Sequence, residues 1–386
     1  MEPLLPSEVS QVKLDDLVIE LVAKASELTG CLNPIVRESI GKLVRSMNCY
    51  YSNLIEGHNT HPHDIDDALA DKYSHDSEKR NLQKEAVAHI AVQELIDTDE
   101  APDAHPASKE FMLWVHKEFS SRLPKELLEV ENPKTGKILQ VVPGRFREND
   151  VIVGRHVPPS HMELDCFLDH FTEVFTSPRL TKRQGVIAVA AAHHRLLWIH
   201  PFLDGNGRVT RFMSHAMLLR LGIGSSLWSV SRGLARKVGK YKELLMAADA
   251  SRYNDLDGRG SLSEKALLEF CAFFLSICID QIEYMTSMIQ PTELLRRIEL
   301  YVNDEMTARR LPKGSFPLLR EALLAGEFER GRASEITGYK ERAARKILSG
   351  LTQKGLLASK TPKSPVRLNF PINVVGRWFP LLYPHN

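Results

Sequence analysis

The sequence predicts a mainly α protein with a small β component. Apolar residues recur at helical spacing through most of the chain, most densely on both sides of a polar loop at 200–211. Alternation of the strand type, short and bounded by turn residues, suggests a β-hairpin at 143–159. Beyond 291 come three helical patches, then two short apolar runs bracketing a Pro/Lys turn.

A chain of 386 residues is long enough for two or three domains. Its 43% hydrophobic and 26% charged residues are those of an ordinary soluble protein. A net charge of +1 argues against a globally basic nucleic-acid binder and leaves room only for a local basic patch. The cysteines Cys31, Cys49, Cys166, Cys271 and Cys278 are odd in number and lack metal-ligand spacing, so they read as reduced core thiols. Met1-Glu2-Pro3 shows no secretory pattern, and the apolar run Phe270 to Ile279 is too short to span a membrane. The expectation is a cytoplasmic protein with no membrane partner.

In chain order, Leu14 to Leu28 is an amphipathic helix. Asn33-Pro34 starts the next one, with asparagine as cap and proline at the first helical position. Ile40, Leu43, Val44, Met47, Leu54 and Ile55 carry its apolar stripe to Gly57, a good stop. His58, His61 and His63 with Asp64, Asp66 and Asp67 read as a solvated loop, since their spacing is not a recognised metal pattern. Thr98 to Ala107 is a Pro/Asp-rich connector and Phe111 to Leu123 a further helix. The turn cluster Glu131 to Gly136 leads into the 143–159 hairpin. Gln184 to Ile199 is a largely buried helix, and Phe212, Met213, Ala216, Met217, Leu218 and Leu219 mark the helix after the loop. Lys240 to Leu245 begins another helix. Ser261 is expected to cap the one running to Cys278, and the helical region closes near Gln290.

The loop itself is His200-Pro201-Phe202-Leu203-Asp204-Gly205-Asn206-Gly207-Arg208-Val209-Thr210-Arg211. Such loops are commonly only turns. Here the composition fits phosphate binding. A helix start offers unpaired N–H groups and a positive dipole end, and Gly205-Asn206-Gly207 can fold into a nest of amides. Arg208 and Arg211 share one helix face and can fork onto phosphate oxygens. Asp204 is placed for magnesium, which prefers carboxylate and phosphate oxygens. His200 has the ordinary pKa of a general base near neutrality. A calcium loop fails, because the twelfth position from Asp204 is His215; from Asp255 it is Ala266. There is no Walker A pattern.

The whole string resembles the signature of the Fic family, His-x-Phe-x-Asp/Glu-Gly-Asn-Gly-Arg-x-x-Arg, at every fixed position. The resemblance covers roughly residues 35–285 and is strongest over the loop. It implies a protein adenylyltransferase that moves AMP from ATP, with Mg2+, onto a Ser, Thr or Tyr hydroxyl of a target protein or of itself. By that resemblance His200 deprotonates the target and Asp204 holds magnesium. Asn206 and the amides around Gly205 and Gly207 cradle the anion, Arg208 and Arg211 contact the outer phosphates, and Phe202 pins the loop. Ser52-Asn53-Leu54-Ile55-Glu56-Gly57, alone a polar helix end, resembles the family's inhibitory motif Ser/Thr-x-x-x-Glu-Gly/Asn. Glu56 would then compete with the terminal phosphate for Arg211, and Ser52, one turn earlier, would steady it.

The 143–159 hairpin looks like the family's flap, whose strand edge pairs with the target backbone. Gly144, Val151, Ile152, Val153 and Gly154 are its recognition residues. Tyr241 is either a platform for adenine or a core tyrosine. Three helices followed by a hairpin resemble a winged helix, a helix-turn-helix variant, with Lys340, Arg342, Arg345 and Lys346 on its third helix. This admits DNA as a partner through residues 332–370, beside protein docking or a homodimer. The expected layout is a helical segment bearing the brake at 1–110, a Fic core at 111–290 and a winged helix at 291–386. The rival functions are a DNA-binding transcriptional regulator with a nucleotide-sensing core, and an enzyme that removes AMP.

Overall fold

The computed structural model describes residues 1–30, 32–131, 136 and 138–384. Its helices fall into two compact units, Met1–Ala25 with Asn48–Gln281, and Ser26–Met47 with Ile282–Asn386. This differs from the expected cuts after 110 and 290. Residues 48–110 supply core side chains of the first unit. Segment 26–47 belongs to the second, where Asn33 Nδ2 donates to the Ala325 carbonyl at 3.2 Å and Arg367 donates to Glu38 at 2.8 Å. Such long-range ties leave no periodicity in a sequence.

In chain order α1 (Glu8–Gln11) is a single turn, followed by α2 (Asp15–Gly30) and α3 (Pro34–Glu56), of which residues 26–47 count with the second unit. Asn33 caps α3 as expected, its Oδ1 accepting the Ile35 N–H at 2.9 Å. The stretch carrying His63, Asp64, Asp66 and Asp67 is a helix, α4 (Pro62–Leu69), and not a loop, because Pro62 presets its first turn. Among the described residues no three His, Cys, Asp or Glu side chains converge on a metal position. Next come α5 (Ser77–Asp97) and α6 (Lys109–Ser120), capped by Asp76 and Ser108. A strand pair, β1 (Glu129–Glu131) and β2 (Ile138–Gln140), is antiparallel with Val130 opposite Leu139. Then follow α7 (Leu164–Phe175), α8 (Lys182–Ile199), α9 (Asn206–Arg220), α10 (Val230–Arg236), α11 (Val238–Ala248) and α12 (Glu264–Ile289). Ser263, not Ser261, caps α12, its Oγ accepting the Ala266 N–H at 3.1 Å.

The helices α8 and α9 form the centre. Ala188, Ala190, Ala191 and Ala192 are buried, and such small side chains let a neighbouring helix approach closely. Helix α9 is buried at almost every position from Asn206 to Leu218. The loop between them is thus anchored at both ends in close-packed structure.

The hairpin expected at 143–159 is not there as strands. A single antiparallel bridge joins Val153 and His156, and the regular pair lies upstream at β1 and β2. The turn residues 132–135 between those strands lie outside the described residues. The reason for the displacement is Arg147. Its buried guanidinium donates to the carbonyls of Asn149 at 3.0 Å, Pro159 at 2.6 Å and His200 at 2.8 Å. Carbonyls that a hairpin would pair across strands are satisfied by one side chain.

The thiols Cys49, Cys271 and Cys278 are buried and free, and burial raises each pKa. Cys166 is exposed, contrary to the expectation of a core thiol, and Cys31 lies outside the described residues. Among the described residues no helix is long and apolar enough to cross a membrane.

The second unit continues through α13 (Pro291–Thr307), α14 (Ser315–Ala325), β3 (Glu327–Phe328), α15 (Ala333–Thr337), α16 (Glu341–Gln353), β4 (Leu357–Ala358), β5 (Val366–Leu368) and α17 (Ile372–Trp378). Strand β5 is central and antiparallel to both neighbours, in the order β3-β5-β4. Helix α16 buries Ala344, Ile347, Leu348 and Leu351 and leaves Arg342, Arg345 and Lys346 exposed. Trp378 is fully buried against Tyr301 and Phe370.

Candidate active site

The loop between α8 and α9 is shaped by its own residues. His200 ends α8 in the left-handed region at φ +50°, and Gly205 turns the chain into α9 at φ +82°. The Asn206 side chain closes a double tie, accepting the Phe202 N–H and donating to the Phe202 carbonyl, each at 2.8 Å. It therefore braces the loop and is not turned to an anion, which corrects the expected contact. What the start of α9 could offer an anion is the backbone N–H groups of Asn206, Gly207 and Arg208. These precede the first α9 bond, from Val209 N–H to the Gly205 carbonyl at 3.0 Å.

Phe202 is fully buried, stacked on His116 with ring centroids 4.1 Å apart and touching Phe146. His116, on α6, was not singled out from the sequence. It accepts the Gly144 N–H at Nδ1 at 3.0 Å, and its ring also bonds the backbone of Asp204. The imidazole thereby links the 143–159 segment to the 200–211 loop, and burial lowers its pKa to about 4. Replacing Phe202 with alanine should destabilise the protein by about 3–5 kcal/mol, read as a shifted denaturant midpoint. A loss below about 1 kcal/mol would mean that the loop does not depend on this ring.

Around α9 the charges are arranged in pairs. Arg211 donates from Nε to Ser52 Oγ at 2.9 Å and from a terminal nitrogen to Glu56 Oε1 at 2.5 Å. Glu56 lies so close over Gly207 that a Cβ there would collide with its carboxylate. The carboxylate thus occupies the N-terminal end of α9, where dipole and free N–H groups favour an anion. Burial, the largest influence, pushes the Glu56 pKa up, but Arg211 and Arg208 together hold it below the usual value.

Arg208 donates to Glu85 on α5, makes a 3.2 Å contact with His58 Nδ1, and lies over the Phe119 ring. Neither Glu85 nor His58 was singled out as a partner of the loop, and no local pattern marks them. Asp204 is exposed, and His200 is half-buried at the end of α8. Burial is the main cause that lowers the His200 pKa to about 4, partly opposed by its bond to the Leu197 carbonyl. The imidazole is therefore neutral at neutral pH and able to accept a proton.

The structure decides between the two readings of Tyr241. Tyr241 is 3% exposed, and its hydroxyl bonds His193 Nε2 at 2.8 Å, with Phe270 beside the ring. It is a core tyrosine with no face open to a base. Ile152, Val153 and Gly154 are exposed and Val151 is half-buried, on a loop tied to the end of α8 where His156 Nε2 meets the Trp198 carbonyl at 2.7 Å.

Residues 106–218 match the model of the Fic/DOC family. Over 98 residues, 25% of this chain, the sequence is 36% identical to a protein of Drosophila erecta named protein adenylyltransferase Fic. A protein of the same name from Aedes aegypti is 37% identical over 98 residues. The matched part covers 20% of the length of each of these curated relatives. A Fic family protein from Desulfovibrio desulfuricans G20 superposes over 92% of this chain and 96% of its own, at TM-score 0.51 and 17% identity. Fic-1 from C. elegans superposes over 72% of this chain and 73% of its own, at TM-score 0.55 and 14% identity. The helical architecture is thus of the Fic type, and the segment that matches the Fic/DOC family holds α8, the 200–211 loop and α9 as far as Leu218.

Proposed function

We propose that the chain is a protein adenylyltransferase, moving AMP from ATP to a Ser, Thr or Tyr hydroxyl of a target protein or of itself, and held inactive by Glu56. The observation that carries this reading is the Glu56 carboxylate on Arg211 at the amide end of α9, where a terminal phosphate would sit. The relatives' names support the reaction class, since each is called a protein adenylyltransferase.

In the proposed reaction the target oxygen bonds the α-phosphorus and the bond to the β-phosphate bridge breaks, releasing pyrophosphate. The hydroxyl proton passes to the His200 ring nitrogen that is not engaged by Leu197. The α9 amides and Arg211 hold the phosphates in line, so positioning and charge neutralisation do most of the work. The residues fit magnesium: Asp204 offers an exposed carboxylate beside the phosphate path, and magnesium needs only one or two such ligands when phosphates supply the rest. Bound there, the ion would neutralise charge on the departing pyrophosphate.

The deciding experiment is intact-mass spectrometry of the Glu56→Gly protein incubated with ATP and magnesium. A gain equal to AMP supports the reading, and peptide mapping then gives the modified residue. No gain in the chain, and none in proteins of a cell extract, would count against it.

The ionisation of His200 sets the expected pH dependence. With a free-enzyme pKa near 4, the base is neutral throughout the physiological range and becomes protonated only as the pH falls towards that value. The acid limb of kcat/KM for the Glu56→Gly protein should therefore lie well below the 6.5 of an ordinary histidine. A limb centred at 6.5 would show that His200 is not the base, or not buried as described.

The second unit supports an additional reading. Helices α14, α15 and α16 with the β3-β5-β4 sheet have the element order of a winged helix, and the exposed cations of α16 favour DNA as a partner. Arg345 is paired with Glu341 at 3.0 Å, which reduces that charge. A regulator in place of an enzyme would bind DNA and incorporate no AMP.

A further inference from the structure

The two motif arginines are each held by a carboxylate, but the carboxylates differ in kind. The Glu56 side chain is 30% exposed at the C-terminal end of α3, while the Glu85 side chain is 3% exposed within α5. A half-exposed carboxylate at a helix end can leave when a phosphate arrives. One enclosed in a helix interior cannot, because no route to solvent opens without moving α5 itself.

Glu85 is also the centre of a built network. It accepts from Arg208, and both its oxygens lie 3.0–3.1 Å from His58 Nδ1. Two nitrogen groups thus converge on one buried acceptor. On its other side Arg208 rests on the Phe119 ring at 5.2 Å, and its buried Nε has no hydrogen-bond partner. The guanidinium is therefore gripped at one terminal nitrogen and along one face, which fixes the direction of the remaining N–H groups.

We infer that Glu85 is a positioning residue for the transfer reaction, a permanent counter-ion that aims Arg208 at the phosphates and stays in place when Glu56 is displaced. This rests on the reading of the chain as an adenylyltransferase. It separates the carboxylates of the site by role: Glu56 blocks an arginine, whereas Glu85 orients one. A well-aimed guanidinium stabilises charge that develops in the transition state more than charge already present on bound ATP. Loss of Glu85 should therefore lower turnover without weakening nucleotide binding. Removing a negative group from the neighbourhood of an anion should, if anything, tighten it.

The test compares Glu56→Gly with the double variants Glu56→Gly/Glu85→Gln and Glu56→Gly/Glu85→Asp. Turnover is measured by AMP incorporation and ATP–magnesium affinity by calorimetry, with thermal melts as the folding control. The expected result is a fall in kcat of about tenfold or more in both double variants, with Kd for ATP unchanged or lower. The aspartate variant keeps the charge and shortens the reach, so it remains informative if the glutamine variant fails to fold. A rise in kcat would make Glu85 a second brake and overturn the inference. Unchanged kcat, or loss of ATP binding in a folded protein, would overturn it as well. If the Glu56→Gly parent transfers no AMP, the enzyme reading itself falls and takes the inference with it; a parent that transfers normally isolates the fate of Glu85.

Discussion

Substitution of Glu56 by glycine is expected to raise AMP transfer by roughly 10- to 100-fold, because a charge-assisted hydrogen bond of about 1.5–3 kcal/mol no longer competes with the terminal phosphate. The carboxylate sits on Arg211 and over Gly207 at once, so its removal frees both a guanidinium and the amide end of α9. Ser52, which bonds Arg211 Nε, remains to orient the side chain. The variant also places glycine at the last helical position of α3, a cost of about 1 kcal/mol or less. Glu56→Gln is the companion control, since it keeps the shape and propensity but loses the charge. Both should activate, glycine more than glutamine. A rate unchanged within twofold, with an intact melting transition, would remove the brake from the account.

Replacement of His200 by alanine in that activated background should lower transfer by about 10²–10⁴-fold, the usual contribution of a positioned general base. The loop is held by Phe202, Asn206 and Arg147 through ring stacking and bonds to the backbone. The melting temperature should therefore change little while incorporation collapses. Retention of more than a tenth of the activity would show that the proton leaves by another route, and that the imidazole is present for shape alone.

How much of this was legible in the sequence follows from the range of each interaction. The His200–Arg211 loop and the 52–57 string with its Glu56 carboxylate are local strings, and their residue types suggest the chemistry proposed for them. The start of α3 at Asn33-Pro34 and its stop before Gly57 were legible for the same reason. The hairpin was misplaced because alternation at 143–159 says nothing about which group satisfies each carbonyl, and Arg147 satisfies two of them, at Asn149 and Pro159. Tyr241 left two readings open. Only the fold reveals that His193, 48 residues earlier, waits for its hydroxyl. Glu85 meets Arg208 across 123 positions and His116 meets Gly144 across 28, separations at which one sequence carries no pairing signal. The compact units differ from the expected layout for a similar reason, since they depend on ties such as Glu38 to Arg367.

The double tie between Asn206 and Phe202 has a thermodynamic corollary. The bend is completed when the chain folds, so on the proposed reading a nucleotide would meet a preformed receptor, and association need not carry the entropic cost of ordering a floppy segment. On the proposed reading, what limits the protein at rest is then the eviction of a resident anion, a matter of exchange between two negative groups and not of assembling a site.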